Sequence, residues 1–69
     1  MIMKEGNMMY TMTKVVDAEN GITIAYLDQG AFERSEDTMA WVAAQVGRIY
    51  GCDEVTVIFP TGNTRAVRV

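Results

Sequence analysis

The chain is predicted to fold as an α+β domain in which a four-stranded antiparallel sheet carries one helix across one face. Four segments alternate apolar and polar residues with the period of a β-strand. They form two pairs, and a turn signal joins the members of each pair. One segment with apolar residues at helical spacing lies between the pairs. The order β-β-α-β-β packs most economically as two layers, the sheet and the helix.

The first predicted hairpin has strands at residues 9–17 and 22–27. Asn20-Gly21 lies between them and is the strongest short hairpin signal, because both residue types tolerate a positive φ angle. Lys14 interrupts the apolar face of the first strand. Alternation predicts that the core-facing residues of this hairpin are Tyr10, Met12, Val16, Ile22, Ile24 and Tyr26.

The segment between the hairpins is predicted to be an amphipathic helix over residues 35–50. Ser35 is a suitable N-cap, and Gly51 is placed to end the helix as the residue that follows the C-cap. Gly47 indicates either a small loss of helix propensity or a point of close packing. The apolar stripe that should face the sheet consists of Met39, Val42, Ala43, Val46, Ile49 and Tyr50.

The second predicted hairpin has strands at residues 54–59 and 64–69, joined by turn-forming residues at 60–63. Its predicted core-facing residues are Val55, Val57, Phe59, Val67 and Val69. The outer face of the whole sheet is expected to be small and polar, as the solvated face of an antiparallel sheet usually is. The residues expected there are Thr11, Thr13, Thr23, Thr56, Ala66 and Arg68.

Size and composition restrict the class of protein. The 69 residues suffice for one domain, which we place at residues 8–69, with a frayed N-terminus at residues 1–7. The single cysteine cannot form an intrachain disulfide, and the sequence shows neither an apolar leader nor a membrane-spanning stretch. We therefore expect a cytoplasmic protein. The net charge of −3 argues mildly against a general nucleic-acid binder.

Catalytic, metal and cofactor chemistry is not expected. The chain has no histidine, which removes the usual zinc patterns and leaves Cys52 without a base to activate it. Gly62 lies in a hairpin turn rather than between a strand and a helix, so it does not form a phosphate loop. Asp28 and Glu33 lack the alternating ligands of a calcium loop. The sequence thus predicts a binding protein and not an enzyme.

Trp41 is the residue most informative about function. At about 100° per residue it projects about 140° from Val46, the middle of the predicted apolar stripe. Tryptophan is enriched among the hot spots of protein interfaces, so this position indicates an exposed anchor. The alternative is that the helix packs on both sides or that Trp41 folds over residues 28–34. The docking stripe predicted around the tryptophan consists of Asp37, Trp41, Ala44, Gln45 and Arg48.

A group of carboxylates precedes and begins the helix: Asp28, Glu33, Glu36 and Asp37. Carboxylates at a helix start compensate the macrodipole, and solvation accounts for the others in the simplest interpretation. The functional interpretation is a negative patch that mimics phosphates and competes for a basic groove on another protein. We include all four carboxylates in the candidate protein-binding site.

In size, acidity and β-β-α-β-β order the chain resembles the small inhibitors encoded by phages and mobile elements, including the anti-CRISPR proteins. The resemblance covers the general character of the whole chain and includes no motif, so it carries over no site residue. It implies a stoichiometric inhibitor that binds a host nucleoprotein complex and either blocks access of nucleic acid or prevents assembly.

Two other functions remain open. A homodimer would cover a tryptophan that so small a chain cannot bury. It would form edge to edge through a strand, or helix to helix through Ala40, Trp41, Ala44 and Arg48. A nucleic-acid binder would use Lys14, Arg65 and Arg68. An RNA-binding sheet also needs aromatic residues on its outer face, whereas Tyr10, Tyr26 and Phe59 are predicted to point inward. Direct binding of nucleic acid is therefore not expected. Neither the partner's identity nor the order of the strands follows from the sequence.

Overall fold

The computed structural model describes residues 12–28 and 35–69, and within these ranges the fold is the predicted one. Four strands form one antiparallel sheet in the order β2-β1-β3-β4, and a single helix packs across one face of it. The predicted frayed segment and Tyr10 lie outside the described residues. The elements are β1 (Met12–Asp17), β2 (Thr23–Asp28), α1 (Glu36–Ile49), β3 (Glu54–Ile58) and β4 (Thr64–Arg68).

The first hairpin forms where Asn20-Gly21 predicted it. Gly21 has φ 75°, a left-handed conformation that glycine adopts without steric cost. The backbone N–H of Asp17 donates to the carbonyl of Ile22 at 2.8 Å, which closes the turn at the end of the ladder. The Asn20 side chain accepts a hydrogen bond from the backbone N–H of Ile22 at 2.9 Å. The side chain thereby satisfies a turn donor, which is the usual role of asparagine in turns.

The two hairpins meet at the centre of the sheet, where β1 pairs with β3. Val15 lies directly opposite Val57 in this pairing. The second hairpin turns between Phe59 and Asn63, whose backbone carbonyl accepts from the Phe59 N–H at 2.8 Å. Because β1 and β3 are both central, β2 and β4 are the edge strands. The sequence leaves this strand order open, and the pairing of two distant segments decides it.

The helix has the predicted caps at both ends. Ser35 has an extended backbone conformation, and its side chain accepts from the Thr38 N–H at 3.2 Å. At the other end Gly51 has φ 77° and donates to the carbonyl of Arg48, while Cys52 donates to the carbonyl of Gly47 at 2.8 Å. This pair of bonds is a Schellman motif, and it satisfies carbonyls that the helix end would otherwise leave unpaired.

The core lies between α1 and the central strands. Its fully or nearly buried apolar residues are Val15, Met39, Ala40, Ala43, Val55, Val57 and Phe59. The predicted inward positions of β3 and of Phe59 are therefore confirmed. Gly47 is buried as well, and a Cβ atom at this position would approach a methyl carbon of Val55 to 2.8 Å. The interpretation of Gly47 as a point of close packing is confirmed.

The predicted apolar stripe of the helix is wrong in its rotation about the helix axis. The buried residues of α1 are Met39, Ala40, Ala43 and Gly47. At about 100° per residue the centre of this face lies about 75° from Val46, the predicted centre. Ile49 is consequently 81% exposed and Tyr50 61% exposed, although both were predicted to face the sheet.

Except at Ile24, the predicted inward face of the first hairpin is also wrong. Thr13 and Val15 are fully buried, and Leu27 lies opposite Thr13 in the register, on the side of the core. Tyr26 lies opposite Lys14 and points to the outer face, where it is 54% exposed. A shift of one residue exchanges the two faces of a strand. The register between β1 and β2 also shifts beside Val15, as at a β-bulge. Ile24 therefore packs against the core, although simple alternation from Tyr26 would place it on the outer face.

Candidate protein-binding surface on the helix

The face of α1 that points away from the sheet carries four residues which we call the outer helix surface: Trp41, Gln45, Arg48 and Ile49. Their spacing of four, seven and eight residues places them on one side of a helix. Trp41 is 66% exposed, and Arg48 and Ile49 are exposed with it. Trp41 and Ile49 stand about 12 Å apart along the helix axis at a rise of about 1.5 Å per residue.

The exposure of Trp41 shows that this residue is not packed into the core. The other alternative, that Trp41 folds over residues 28–34, falls mostly on residues outside the described ranges. An indole packed under a loop or into the core would be mostly covered, as most tryptophans are. The side chain instead keeps 66% of its surface accessible and is not part of the core cluster. Among the described residues the indole is therefore largely uncovered.

Ile49 is a member of this surface that the sequence analysis missed. Its apolar character and its spacing from Val42 and Val46 assigned it to the predicted core stripe. The rotation of the helix moves Ile49 to the same side as Trp41. A signal for this was present in the sequence, because Gly47 marks the line along which the helix approaches the sheet most closely.

Asp37 and Ala44, predicted to belong to the docking stripe, lie at its border. Ala44 is half-buried, and Asp37 is exposed. The Asp37 carboxylate accepts a hydrogen bond from the Arg65 guanidinium at 3.0 Å. Arg65 also lies over the ring of Phe59, with its guanidinium carbon 5.5 Å from the ring centroid. Asp37 thus already has a cationic partner within the fold.

Of the carboxylate group predicted ahead of the helix, the structure describes Asp28, Glu36 and Asp37. Glu36 accepts hydrogen bonds from the Thr61 hydroxyl and the Asn63 side-chain amide, both at 3.3 Å. These bonds tie the start of α1 to the turn between β3 and β4. Asp28 is exposed at the end of β2, and Glu33 lies outside the described residues. Glu36 and Asp37 therefore have structural partners in addition to their position at the helix start.

A crevice at the other end of the sheet has a strongly acidic lining. It has a volume of about 320 Å³ and is lined by Asp17, Ala18, Glu19, Asp53 and Glu54. Burial raises the pKa of the nearby Cys52 thiol, as do the Asp17 charge and a thiol hydrogen bond to it. Raising the pKa lowers the thiolate fraction, which is the opposite of what a nucleophile needs. Within residues 12–28 and 35–69, no cluster of three or more metal-ligating side chains could hold a metal ion.

Comparison with known proteins does not assign this surface to a family. No family model, no curated protein and no solved structure matches the chain. In the part of the chain that the structure describes, no helix combines the length and the apolar character needed to cross a membrane. The outer helix surface must therefore be interpreted from its own chemistry.

Proposed function

We propose that this protein is a non-enzymatic binding module that docks on a partner protein through the outer helix surface. The observation that carries the proposal is the joint exposure of Trp41 and Ile49 on one side of a well-capped helix. Tryptophan is the residue type most enriched at interface hot spots, and large exposed apolar groups on one face indicate an interaction site.

The spacing of the two anchors indicates how a partner would be bound. Side chains eight residues apart stand about 12 Å from each other on one face, which is the arrangement of a helix that lies in an apolar groove. Arg48 lies between them and makes no ion pair within the described ranges. An acidic residue at the rim of the partner's groove would complement this guanidinium.

We further propose that the module acts as an inhibitor of a host nucleoprotein complex in the cytoplasm, as the resemblance to small phage-encoded inhibitors implies. A stoichiometric inhibitor needs a binding surface and no catalytic group, and the free thiol of Cys52 suits a reducing compartment. The exposed carboxylate of Asp28 would add electrostatic attraction to a basic partner, and this attraction would weaken as salt screens it.

The experiment that tests docking is affinity capture from host lysate with matched variants. The intact chain, Trp41→Ala, Ile49→Ala and Ile22→Ala would be used as baits at equal concentration. Ile22 is the control because it is an exposed isoleucine in the first hairpin, away from the helix. A specific partner should be retained by the intact chain and by Ile22→Ala, and should be lost with Trp41→Ala and Ile49→Ala. A partner held equally by all four baits would contradict the proposal.

A homodimer through the same surface is distinguished by solution mass. Light scattering after gel filtration should give the monomer mass for the intact chain and for Trp41→Ala over a range of concentrations. A dimer that Trp41→Ala converts to a folded monomer would instead assign the outer helix surface to self-association. The partner site would then have to be sought on another face.

A further inference from the structure

A groove lies on the outer face of the sheet, on the side opposite to the helix. Its volume is about 180 Å³. Tyr26, Lys14 and Ile58 lie side by side at its floor, because Lys14 pairs with Tyr26 on one side and with Ile58 on the other. The residues that line the groove are Met12, Lys14, Tyr26, Ile58, Phe59, Pro60 and Gly62.

The groove combines an aromatic ring, an apolar wall and one cation. The Tyr26 side chain is 54% exposed, so its ring is accessible to a stacking partner. The two side chains directly beside Lys14 are uncharged, and Lys14 makes no ion pair among the described residues. Asp28 adds a carboxylate two residues further along β2, so the local charge is mixed and not strongly positive.

Lys14 is the only charged residue among those that line the groove, which allows an anion there despite the net charge of −3 of the chain. The acidic crevice lies at the opposite end of the strands, where β1 ends and β3 begins. Glu36 and Asp37 are engaged by the turn between β3 and β4 and by Arg65. Of the seven carboxylates in the described residues, four therefore lie at the far end of the strands, and two more are engaged by side chains of the fold.

We propose that this groove binds one nucleotide unit of a single-stranded nucleic acid, with its base stacked on Tyr26 and its phosphate at Lys14. A base and its phosphate are a planar ring and an anion at fixed separation, which matches the exposed ring of Tyr26 beside the ammonium group of Lys14, which makes no ion pair within residues 12–28 and 35–69. Stacking on aromatic residues of a sheet is a common mode of single-strand recognition. The sequence argued against an RNA-binding sheet because Tyr26 was predicted to point inward, whereas in the structure this ring points outward. The proposal concerns a different face from the outer helix surface and does not depend on it.

The test is a titration of the ¹⁵N-labelled protein with octauridylate, followed by amide chemical shifts, with affinities from the anisotropy of the labelled oligonucleotide. Shifts should concentrate on Lys14, Tyr26 and Ile58. Tyr26→Ala should lower the association constant about tenfold or more, whereas Tyr26→Phe should retain most of it. Lys14→Ala should reduce the slope of log K against log salt concentration by about 0.7, the value for one phosphate contact on a single strand.

Matched controls on the helix are Tyr50→Ala and Arg48→Ala, which remove an exposed tyrosine and an exposed cation away from the groove. Both should bind octauridylate like the intact chain. The proposal is overturned if no shifts occur at the groove, or if the control variants lose as much affinity as the groove variants. It is also overturned if uridine monophosphate competes as strongly, mole for mole, as the octamer, which would assign the groove to free nucleotides. Loss of a captured protein partner with Tyr26→Ala, without loss of octauridylate, would assign it to protein.

Discussion

Asp37 in the first turn of α1 and Arg65 in β4 form an ion pair at 3.0 Å that joins the helix start to an edge strand. The side chain of Asp37 is 89% exposed and that of Arg65 is 41% exposed, so water and salt screen the pair. Asp37 also lies where a carboxylate compensates the macrodipole. These relationships give Asp37 a role within the fold that requires no partner protein.

The Asp37–Arg65 pair is expected to contribute modestly to stability. A double-mutant cycle with Asp37→Asn and Arg65→Gln should give a coupling free energy of about 0.2–1 kcal/mol at low salt. The measurement is urea unfolding followed by circular dichroism, repeated at high salt, where the coupling should shrink. Arg48→Gln serves as the control, because Arg48 makes no ion pair among the described residues and should not couple to Asp37. A coupling well above this range would show that the pair is less screened than its exposure indicates.

Replacement of Trp41 should leave the fold intact. Because the side chain lies outside the core, Trp41→Ala should change the free energy of unfolding by no more than about 0.5 kcal/mol. Met39, two residues earlier in the same helix, is fully buried, and Met39→Ala should cost about 2–5 kcal/mol. Urea unfolding followed by circular dichroism measures both variants without relying on tryptophan fluorescence. A cost for Trp41→Ala similar to that for Met39→Ala would place the indole in the core.

The strands differ in whether the sequence pattern alone predicts which face is buried. In β3 only one set of alternate positions, Val55 and Val57, combines apolar character with an aromatic continuation at Phe59, and this set is buried as predicted. In the first strand both sets contain apolar residues, so alternation alone does not choose between them. Pairing of Val15 with Val57 from the second hairpin makes the choice. A one-residue difference in register then turns Tyr26 outward.

In the helix, too, the spacing of apolar residues predicts only part of the candidate site. The exposure of Trp41 was predictable, because this residue lies far around the helix from both the predicted apolar stripe and the face that is buried in the structure. The exposure of Ile49 did not follow from the spacing of the apolar residues, because Ile49 lies at the border of the stripe and a rotation of about 75° decides its side. This rotation follows from the close approach of the helix at Gly47, which a hydrophobicity pattern does not register. The groove at Tyr26 was likewise unpredictable, since it depends on pairings across three strands.

Cys52 should react slowly with thiol reagents near neutral pH. Its raised pKa results first from partial burial and then from Asp17, whose charge and hydrogen bond both favour the protonated thiol. Less thiolate at a given pH means a slower reaction. Labelling with a disulfide reagent should therefore be slower than for a free cysteine peptide, and its acceleration with rising pH should occur at higher pH than for that peptide.

The cause of this slow reaction can be separated with carboxylate variants. Asp17→Asn removes the charge but keeps the side-chain oxygen that accepts the Glu19 N–H at 2.9 Å, so the turn should persist. It should shift the pH profile of labelling to lower pH. Asp53→Asn should shift the profile less, because Asp53 is a smaller cause. If the profile of Asp17→Asn coincides with that of the intact chain, burial and the charges of Asp53 and Glu19 account for the raised pKa without Asp17.

Gly47 is expected to be required for the close packing of the helix on the sheet. In Gly47→Ala the new Cβ atom would lie 2.8 Å from a Val55 methyl carbon and 2.9 Å from a Val69 methyl carbon. Overpacking of this kind costs about 1–3 kcal/mol, whereas the gain in helix propensity is at most about 1 kcal/mol. We expect a net loss of about 0–2 kcal/mol in the free energy of unfolding.

A second substitution separates overpacking from other effects of Gly47→Ala. Val69→Ala removes one of the two clashing methyl carbons, and Val69 is only half-buried at the end of the last strand. The double variant should therefore be more stable than the sum of the two single losses predicts, because the added methyl group at position 47 gains space. Gln45→Ala, on the outer side of the same helix, is the control for propensity and should be neutral or slightly stabilising. Additive losses in the double variant, or a Gly47→Ala variant more stable than the intact chain, would show that the helix can move away from Val55 at little cost.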